Sequence, residues 1–322
     1  MLKLLIGGSP CTYWSIAQSK HREVEADGIG WELFKNFLIA KEKFKPDLFL
    51  YENNKSAAQP IKDQISHELG MPLMYINSAL VSAQNRQRFY AFNWTAQQPK
   101  ERGIVLRDVA EHKTAWNSRQ YPTKEIDIKW QRCRLGKFSH SQGMGIYTLD
   151  GKTVCLCANG DTGFYAYPDD GSHLYPVYQV HNEILTRNGR TCSVKLTDGD
   201  YILRKATPLE CERLQTLPDG YTSGISKTQR YKCLGNGWTA EVIIHILNEK
   251  LKNVPHSEKI VVLSMYDGIA TGRYCLDKMG FKNVAYYAYE IDKYAKQIAL
   301  KNYPDIIQMG NAFDVRADNC HL

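Results

Sequence analysis

What the sequence lacks narrows it first. No apolar run approaches the roughly 18 residues needed to span a membrane. There is no internal repeat and no low-complexity tract, so solenoids and compositionally biased tails drop out. Neither sign of charge is in large excess: 41 Lys+Arg against 34 Asp+Glu leave +7, which permits a polyanionic partner without demanding one. No secretory signal opens the chain. The run from Met1 to Cys11 is only superficially like a lipoprotein signal, because its apolar stretch is too short and Pro10 stands directly before Cys11. The nine cysteines are odd in number and dispersed, which reads as free thiols in a reducing cytoplasm rather than a disulfide framework. Zinc spacing is missing too. Cys155-Leu156-Cys157 has no partner pair, and the alternation across residues 153–158 reads as a strand carrying core cysteines. Cys320-His321 is weaker still, and no metal is expected.

What is present is ordinary globular usage: 322 residues, 43% hydrophobic and 23% charged, long enough for about two domains and a sizeable core. Residues 1–93 alternate short apolar runs with helical periodicity, the pattern of parallel strands joined by helical crossovers. The spacing predicts strands near residues 2–6, 47–51 and 74–76, and helices over 30–42 and 61–68. Between 94 and 202 helical periodicity fades and Gly, Asp, Asn, Tyr and Thr dominate, as in short strands with tight turns. From 203 to 322 the α/β texture returns, with a capped helix at Thr207-Pro208-Leu209-Glu210, an apolar helix over 239–251 and an apolar strand over 260–265. Residues 248–258 read as a polar linker.

Two segments carry chemistry. The strand at 260–265 runs into Asp267-Gly268-Ile269-Ala270-Thr271-Gly272 and then a helix; a second strand over 284–289 ends in Glu290-Ile291-Asp292. An acid at that second strand's tip can accept from ribose hydroxyls. The fingerprint G-x-G-x-x-G is absent, so a nucleoside cofactor without phosphates fits best, with S-adenosylmethionine the obvious candidate and Asp267 facing its amino-acid end. An ordinary strand–turn–helix connection fits this segment about equally well. The other segment places Cys11 after a strand and a Gly-Gly-Ser-Pro turn, at the carboxyl edge of a sheet, where an exposed thiolate serves as a nucleophile. A buried structural thiol is the commoner fate of a single Cys. Glu52 ends the next strand, and Gln84, Arg86 and Arg88 alternate along one side of an extended segment, which is otherwise read as a solvated basic edge.

Taken together these segments resemble the DNA cytosine-5 methyltransferases. Gly8-Ser9-Pro10-Cys11 matches the family's Pro-Cys, Tyr51-Glu52-Asn53 its Glu-Asn-Val, and Gln84-x-Arg86-x-Arg88 its Gln-x-Arg-x-Arg. The run from Thr207 to Asp219 is similar to its Thr-Pro-x-Glu-x-x-Arg-Leu-Gln element, Leu234-Gly235-Asn236-Gly237-Trp238 to its Gly-Asn element, and Asp267 to Gly272 to its cofactor loop. The order is unusual, because the Pro-Cys block comes first and the cofactor block last. This looks like a circular permutation with new termini between the third and fourth sheet strands. Asn54 replaces the family's Val, Thr12 its Gln, and Asn311 an adenine-contacting Asp whose acceptor role an Asn carbonyl can fill.

The resemblance implies a Rossmann-like, doubly wound α/β methyltransferase sheet, circularly permuted, with a small mainly-β target-recognition domain inserted at 94–202. It implies S-adenosylmethionine as methyl donor, S-adenosylhomocysteine as product, and duplex DNA as partner. Cys11 would attack C6 of a flipped cytosine, Glu52 serve N3 and the exocyclic amino group, Arg88 serve O2, and Arg86 support the site or a phosphate. Asn236 and Trp238 would lie near the cofactor with Glu290, Ile291, Asp292 and Asn311. Residues 12–30 would be the closing loop, with Lys20, His21 and Arg22 as phosphate candidates and Gly28 and Gly30 as hinges. Gln84 is counted with the DNA contacts. In the middle region Lys124, Lys129, Arg132, Arg134 and Lys137, with Trp130 and Phe138 interleaved, form a basic run suited to DNA, though so short a run is more often a solvated face. A monomer without membrane attachment is expected, in a bacterial or phage-infected cell, with a restriction endonuclease as a candidate counterpart. An RNA cytosine-5 methyltransferase, a silent DNA-binding homologue and a dehydrogenase rank lower.

Overall fold

The computed structural model describes residues 1–16, 22–111, 134–137, 145–147, 149–158, 162–168, 177–187 and 190–318. By contact the chain divides into two compact units: Met1–Asn77 with Gln87–Gln98 and Ala240–Leu322, and Ser78–Arg86 with Pro99–Thr239.

The first unit is the α/β one. Its elements in chain order are β1 (Leu2–Gly7), α1 (Gly28–Phe44), β2 (Leu48–Asn54), α2 (Gln59–Leu69), β3 (Met74–Asn77), β4 (Gln87–Phe92), α3 (Ala240–Leu251), β5 (Ile260–Met265), α4 (Thr271–Lys278), β6 (Val284–Tyr289), α5 (Lys293–Asn302) and β7 (Ile307–Gly310). The strands make one seven-stranded sheet in the order β7-β6-β5-β1-β2-β4-β3. The pairs β7/β6, β6/β5, β5/β1 and β1/β2 are parallel; β4 runs antiparallel to β2 and β3.

The sheet's centre explains its sequence. Strands covered on both faces by helices read as unbroken apolar runs. Leu4, Leu5 and Ile6 of β1 are fully buried, and every residue of β5 is buried. These two strands, from opposite ends of the chain, are paired in register from Leu2↔Ile260 to Gly7↔Met265. From β5 the chain winds outward through β6 to β7, and from β1 it winds the other way through β2. The reversal between β5 and β1 is the switch point at which open α/β sheets bind ligands. The inverted motif order therefore has a plain structural form: the first strand lies beside a strand that comes after residue 259. On one face, α1 supplies Trp31, Phe34, Phe37, Ala40 and Phe44 at helical spacing. Phe34 and Phe37 meet the ring of Tyr51 edge-on at 5.1 and 5.0 Å.

The second unit holds another seven-stranded sheet, in the order Arg190–Ser193, Ile184–Arg187, Val177–His181, Gly199–Arg204, Phe164–Pro168, Gly145–Tyr147, Arg134–Lys137. Its pairings are antiparallel except for Gly145–Tyr147 with Phe164–Pro168. Ile146, Ala166, Val180, Leu185, Tyr201 and Leu203 form its core. This is the short-strand texture of the middle region.

The boundaries differ from those expected at 93 and 202. Residues 203–239 belong to the second unit, because the helix Pro208–Leu214 is tied into it. Arg204 donates to both oxygens of Glu210 at 2.7 and 2.6 Å, and Thr207 and Glu210 close the predicted capping box. Burial alone would raise the Glu210 carboxyl, but Arg204 and the amides of Glu111 and Thr207 hold it below its usual value. Residues 78–86 also belong here, since Gln84–Asn85 pairs with Thr153–Val154. The expected linker at 248–258 is partly helix, as α3 runs to Leu251. Among the described residues no helix is long and apolar enough to cross a membrane.

Candidate active site

Three features of the first unit meet at the carboxyl ends of its parallel strands. The first is the loop leaving β1. Register pairs Gly7 with Tyr51, so this loop runs beside the point where β2 delivers Glu52 and Asn53. Ser9 is buried and shares a 2.7 Å hydrogen bond with the Tyr51 hydroxyl. The buried Asn53 amide donates to the Ser9 carbonyl (3.0 Å), to Ser9 Oγ (3.2 Å) and to Tyr51 OH (3.0 Å). Pro10 then fixes the backbone, and Cys11 opens a short 3-10 turn with its side chain half-buried. The thiol is thus delivered by a loop that three hydrogen bonds pin at two atoms, Ser9 O and Ser9 Oγ. Sequence reading gave Asn53 and Ser9 no role beyond filling out the motifs. Their pairing across the two strands is a property of the fold, and no local pattern in the sequence marks it.

The second feature is Glu52 with Arg88. Register places Glu52 opposite Tyr90 and Asn54 opposite Arg88, so Glu52 and Arg88 share a face diagonally across the β2/β4 pair. Arg88 Nε lies 3.0 Å from Glu52 Oε1, with the side chains 11% and 12% exposed. Arg88 Nη1 also donates to the Gln87 carbonyl at 2.8 Å. A carboxyl and a cation held together at a strand end can serve proton transfer and stabilise developing negative charge.

The third feature is the turn after β5. Tyr266, Gly268 and Ala270 sit at φ of 60°, 64° and 61°, an uncommon cluster that marks a backbone shaped for a purpose. Tyr266 is held by its hydroxyl, which donates to the Leu33 carbonyl at 2.7 Å and accepts from Asn36. The Gly268 amide donates to Glu290 Oε2 at 2.8 Å, while Glu290 Oε1 accepts from the amides of Ile291 and Asp292. Glu290 therefore straps the turn to the tip of β6. Gly272 is required by close approach: a Cβ there would stand 2.3 Å from Ile6 Cδ1 and 2.7 Å from the Tyr286 hydroxyl. Ile291, 68% exposed, presents an apolar surface beside Glu290.

Asp267 sits within this turn. Its Oδ1 accepts from Ser264 Oγ (2.7 Å) and Tyr286 OH (2.6 Å), and its buried Oδ2 has no hydrogen-bond partner among the described residues. Burial pushes the carboxyl up to about 6, against the pull of the two hydroxyls and the Ala270 amide, with Glu290 adding to the rise. The folded protein thus holds this proton more tightly than the unfolded chain, so ionising it costs stability as pH rises from the usual carboxylate range to about 6. Thermal melts of Asp267→Asn should gain on the wild type across that window and run parallel above it. An offset independent of pH would refute this account.

Other expected site residues fall elsewhere or do other work. Asp292 caps α5, accepting from the amides of Tyr294 and Ala295, and Asn311 caps the following turn through Phe313 N. Asn311 Oδ1, expected to serve adenine, is engaged there. Gln84, Arg86 and Arg88 do not line one strand. The segment breaks at Arg86, so that Gln84 and Arg86 belong to the second unit and Arg88 to the first. Gln84 is fully buried and donates to the Leu214 carbonyl and Gln215 Oε1, which corrects its assignment as a DNA contact. Arg86 is buried, donating to Cys155 Sγ (3.3 Å) and to the carbonyls of Leu156 (3.1 Å), Gly235 (3.1 Å) and Gly237 (2.9 Å). It supports the second unit's frame rather than a phosphate. Arg86→Ala takes the guanidinium from three carbonyls, of which Gly237 keeps the Gln215 amide at 3.1 Å; it should destabilise the protein by about 2 kcal/mol or more in chemical denaturation, with Arg86→Lys restoring only part.

Asn236, exposed, and Trp238, half-buried, end this same frame in the second unit. Cys155 is half-buried and Cys157 exposed, so neither is the core thiol expected of the strand pattern. Arg22 donates to the carbonyls of Ser56 (2.6 Å) and Trp14 (3.4 Å), which ties it inward instead of leaving its whole fork for phosphate. Glu23 accepts from Trp14 Nε1 and from the Gly30 amide. Both ends of the expected closing loop are therefore pinned, and Gly30 lies within α1 rather than at a hinge. Lys20, His21, Lys124, Lys129, Trp130, Arg132 and Phe138 lie outside the described residues. Arg134 and Lys137 begin and end a strand of the second unit.

A family model described as C-5 cytosine-specific DNA methylase matches residues 2–252. The type II methyltransferase M.HpaII of Haemophilus parainfluenzae is 26% identical over 263 residues, covering 72% of this chain and 67% of that protein. The DNA (cytosine-5)-methyltransferase DRM2 of Arabidopsis thaliana is 32% identical over 123 residues, covering 37% of this chain and 19% of that protein. The match thus spans about a fifth of the plant relative's length. A solved structure of a Spodoptera frugiperda DNMT2 mutant aligns with a TM-score of 0.41 at 15% identity, over 76% of this chain and 78% of that one.

Proposed function

Because the chain belongs to the C-5 cytosine-specific DNA methylase family, we propose that it methylates C5 of a cytosine flipped out of double-stranded DNA, with S-adenosylmethionine as donor. The observation that carries this reading is the placement, along one edge of a single sheet, of the pinned Cys11 loop and the Gly268 turn at the switch point and the Glu52–Arg88 pair on the strands beside them.

The turn suits the cofactor. Asp267 Oδ2 is an orphaned acceptor for an ammonium group, Glu290 stands at the strand tip for ribose hydroxyls, and Ile291 offers an apolar face for a base. When bound, S-adenosylmethionine supplies an electrophilic methyl on a sulfonium. The protein's task is to make C5 nucleophilic. Cys11 Sγ adds as thiolate to C6, breaking the 5,6 double bond and moving electron density to C5. Glu52 hydrogen-bonds N3 and delivers a proton there as charge builds, and Arg88 stabilises the charge at O2. After C5 has taken the methyl group, water accepts the C5 proton, the Cys11 thiolate departs as the 5,6 double bond re-forms, and N3 returns its proton to Glu52, restoring the ring and the acid. A base stacked in a duplex cannot reach a loop held this tightly to its strands, so the cytosine must leave the stack. The second unit is assigned the reading of the target sequence.

Labelled S-adenosylmethionine, offered with duplex DNA and with structured RNA, tests the proposal. Label should enter duplex DNA, and bisulfite mapping of that DNA should return one recurrent sequence context. Label in RNA alone, or in neither, overturns the reading.

A further inference from the structure

Behind the Gly268 turn, two hydroxyls converge on one carboxylate oxygen. Register pairs Val262 with Tyr286 and Ser264 with Ala288, so Ser264 and Tyr286 project from the same face of the β5/β6 pair. Both donate to Asp267 Oδ1, at 2.7 and 2.6 Å. Tyr286 is 1% exposed, and its hydroxyl is confined on the other side by Gly272, where a Cβ would lie 2.7 Å away. The hydroxyl therefore has a fixed position. Two donors at Oδ1 fix the rotation of the carboxylate and leave Oδ2, which has no partner among the described residues, on its other side. Neither Tyr286 nor Ser264 belongs to a motif of the sequence, and neither lies on the turn that would touch a ligand.

We propose that Tyr286, assisted by Ser264, is a positioning residue for the cofactor: by holding Oδ1 it presents Oδ2 of Asp267 as the acceptor for the ammonium group of S-adenosylmethionine. This rests on the reading of the Asp267 turn as the cofactor site. Ser264 comes from β5 and Tyr286 from β6; Glu290 at the tip of β6 opposes ionisation, and the Ala270 amide at the start of α4 favours it. The carboxyl, pushed by burial up to about 6, is kept from rising further by the two hydroxyls. Removing one of them makes the ammonium-accepting form available only at higher pH.

Calorimetric titration of the full chain with S-adenosylhomocysteine, from pH 5.5 to 8.5, tests this. The wild type, Tyr286→Phe and Asp267→Asn are compared, with Ser264→Ala as a second hydroxyl deletion should Tyr286→Phe fail to fold. If the deletion raises the carboxyl by one pH unit, Tyr286→Phe binds about fivefold more weakly near pH 6 and converges on the wild type by pH 8.5, because one pH unit is a tenfold change in proton affinity. Ser264→Ala moves the profile in the same direction. A purely structural role would weaken binding equally at every pH, and that parallel displacement overturns the proposal, as does a profile superimposable on the wild type. If Asp267→Asn weakens binding while the hydroxyl deletions change nothing, positioning fails and the cofactor reading stands. If the wild type itself does not bind, or Asp267→Asn binds as well as it does, the cofactor reading of this turn fails and the proposal goes with it.

Discussion

Replacing Cys11 with alanine should lower methyl transfer by about 10⁴-fold or more while leaving the affinity for S-adenosylmethionine within about twofold of wild type. The asymmetry follows from where the side chain stands. Cys11 begins the turn after β1, and the groups that fix that loop, Ser9, Tyr51 and Asn53, are separate from the Gly268 turn after β5. Alanine removes only the sulfur and leaves Pro10 and the Ser9 anchor intact, so the loop keeps its course. Without the thiolate, C5 of cytosine is too weak a nucleophile for an alkyl sulfonium. The complementary experiment uses duplex DNA carrying 5-fluorocytosine at the methylated position. The C–F bond prevents loss of the C5 substituent, so the wild type should accumulate a denaturation-resistant protein–DNA adduct and the alanine variant none. Turnover of the alanine variant within about 100-fold of wild type, or an adduct formed without the thiol, would remove Cys11 from the reaction.

Much of the first unit was legible because its elements are locally consistent. The apolar run that became β5 and the Leu4-Leu5-Ile6 stretch of β1 have no polar side to present, so they fit only a covered sheet, and the helical spacing of Trp31, Phe34 and Phe37 left a single face for α1. The pairing of β1 with β5 is visible only in the structure, since the pattern within a strand does not name its neighbour. The segment 84–88 shows where such reasoning stops. Strict alternation places Gln84, Arg86 and Arg88 on one side, but the chain passes from one unit to the other at Arg86, and what draws it there is a set of carbonyls at 156, 235 and 237 that are remote in sequence. Polar residues were the other blind spot. Asp292 and Asn311 were read as ligand contacts by type and position, yet Asp292 caps α5 and Asn311 caps the turn after β7. A short polar side chain at a strand tip satisfies its own backbone at least as readily as it binds a ligand. Choosing between them takes the partner atoms.

Glu52→Gln should lower turnover by about 10²- to 10⁴-fold with little change in cofactor affinity, the loss expected when a proton donor is removed from a charge-building step. The amide is the informative choice. Its oxygen still accepts from Arg88 Nε, so the diagonal across β2 and β4 keeps its 3.0 Å contact and Arg88 is not left as a nearly buried cation without a partner. What the amide cannot do is carry a proton to N3. Glu52→Ala, by contrast, removes both functions and should also lower stability, measured by chemical denaturation, because Arg88 is 11% exposed and loses its carboxylate. Arg88→Ala bears on the same transition state from O2. If the pair acts as a unit on one developing charge, the double variant Glu52→Gln/Arg88→Ala is far less impaired than the product of the two single losses. If the losses multiply, the residues act on separate steps, and the shared role assigned to this pair is wrong. Single-turnover measurement at saturating DNA and cofactor separates the outcomes, since it reads the chemical step without the binding and release that flank it.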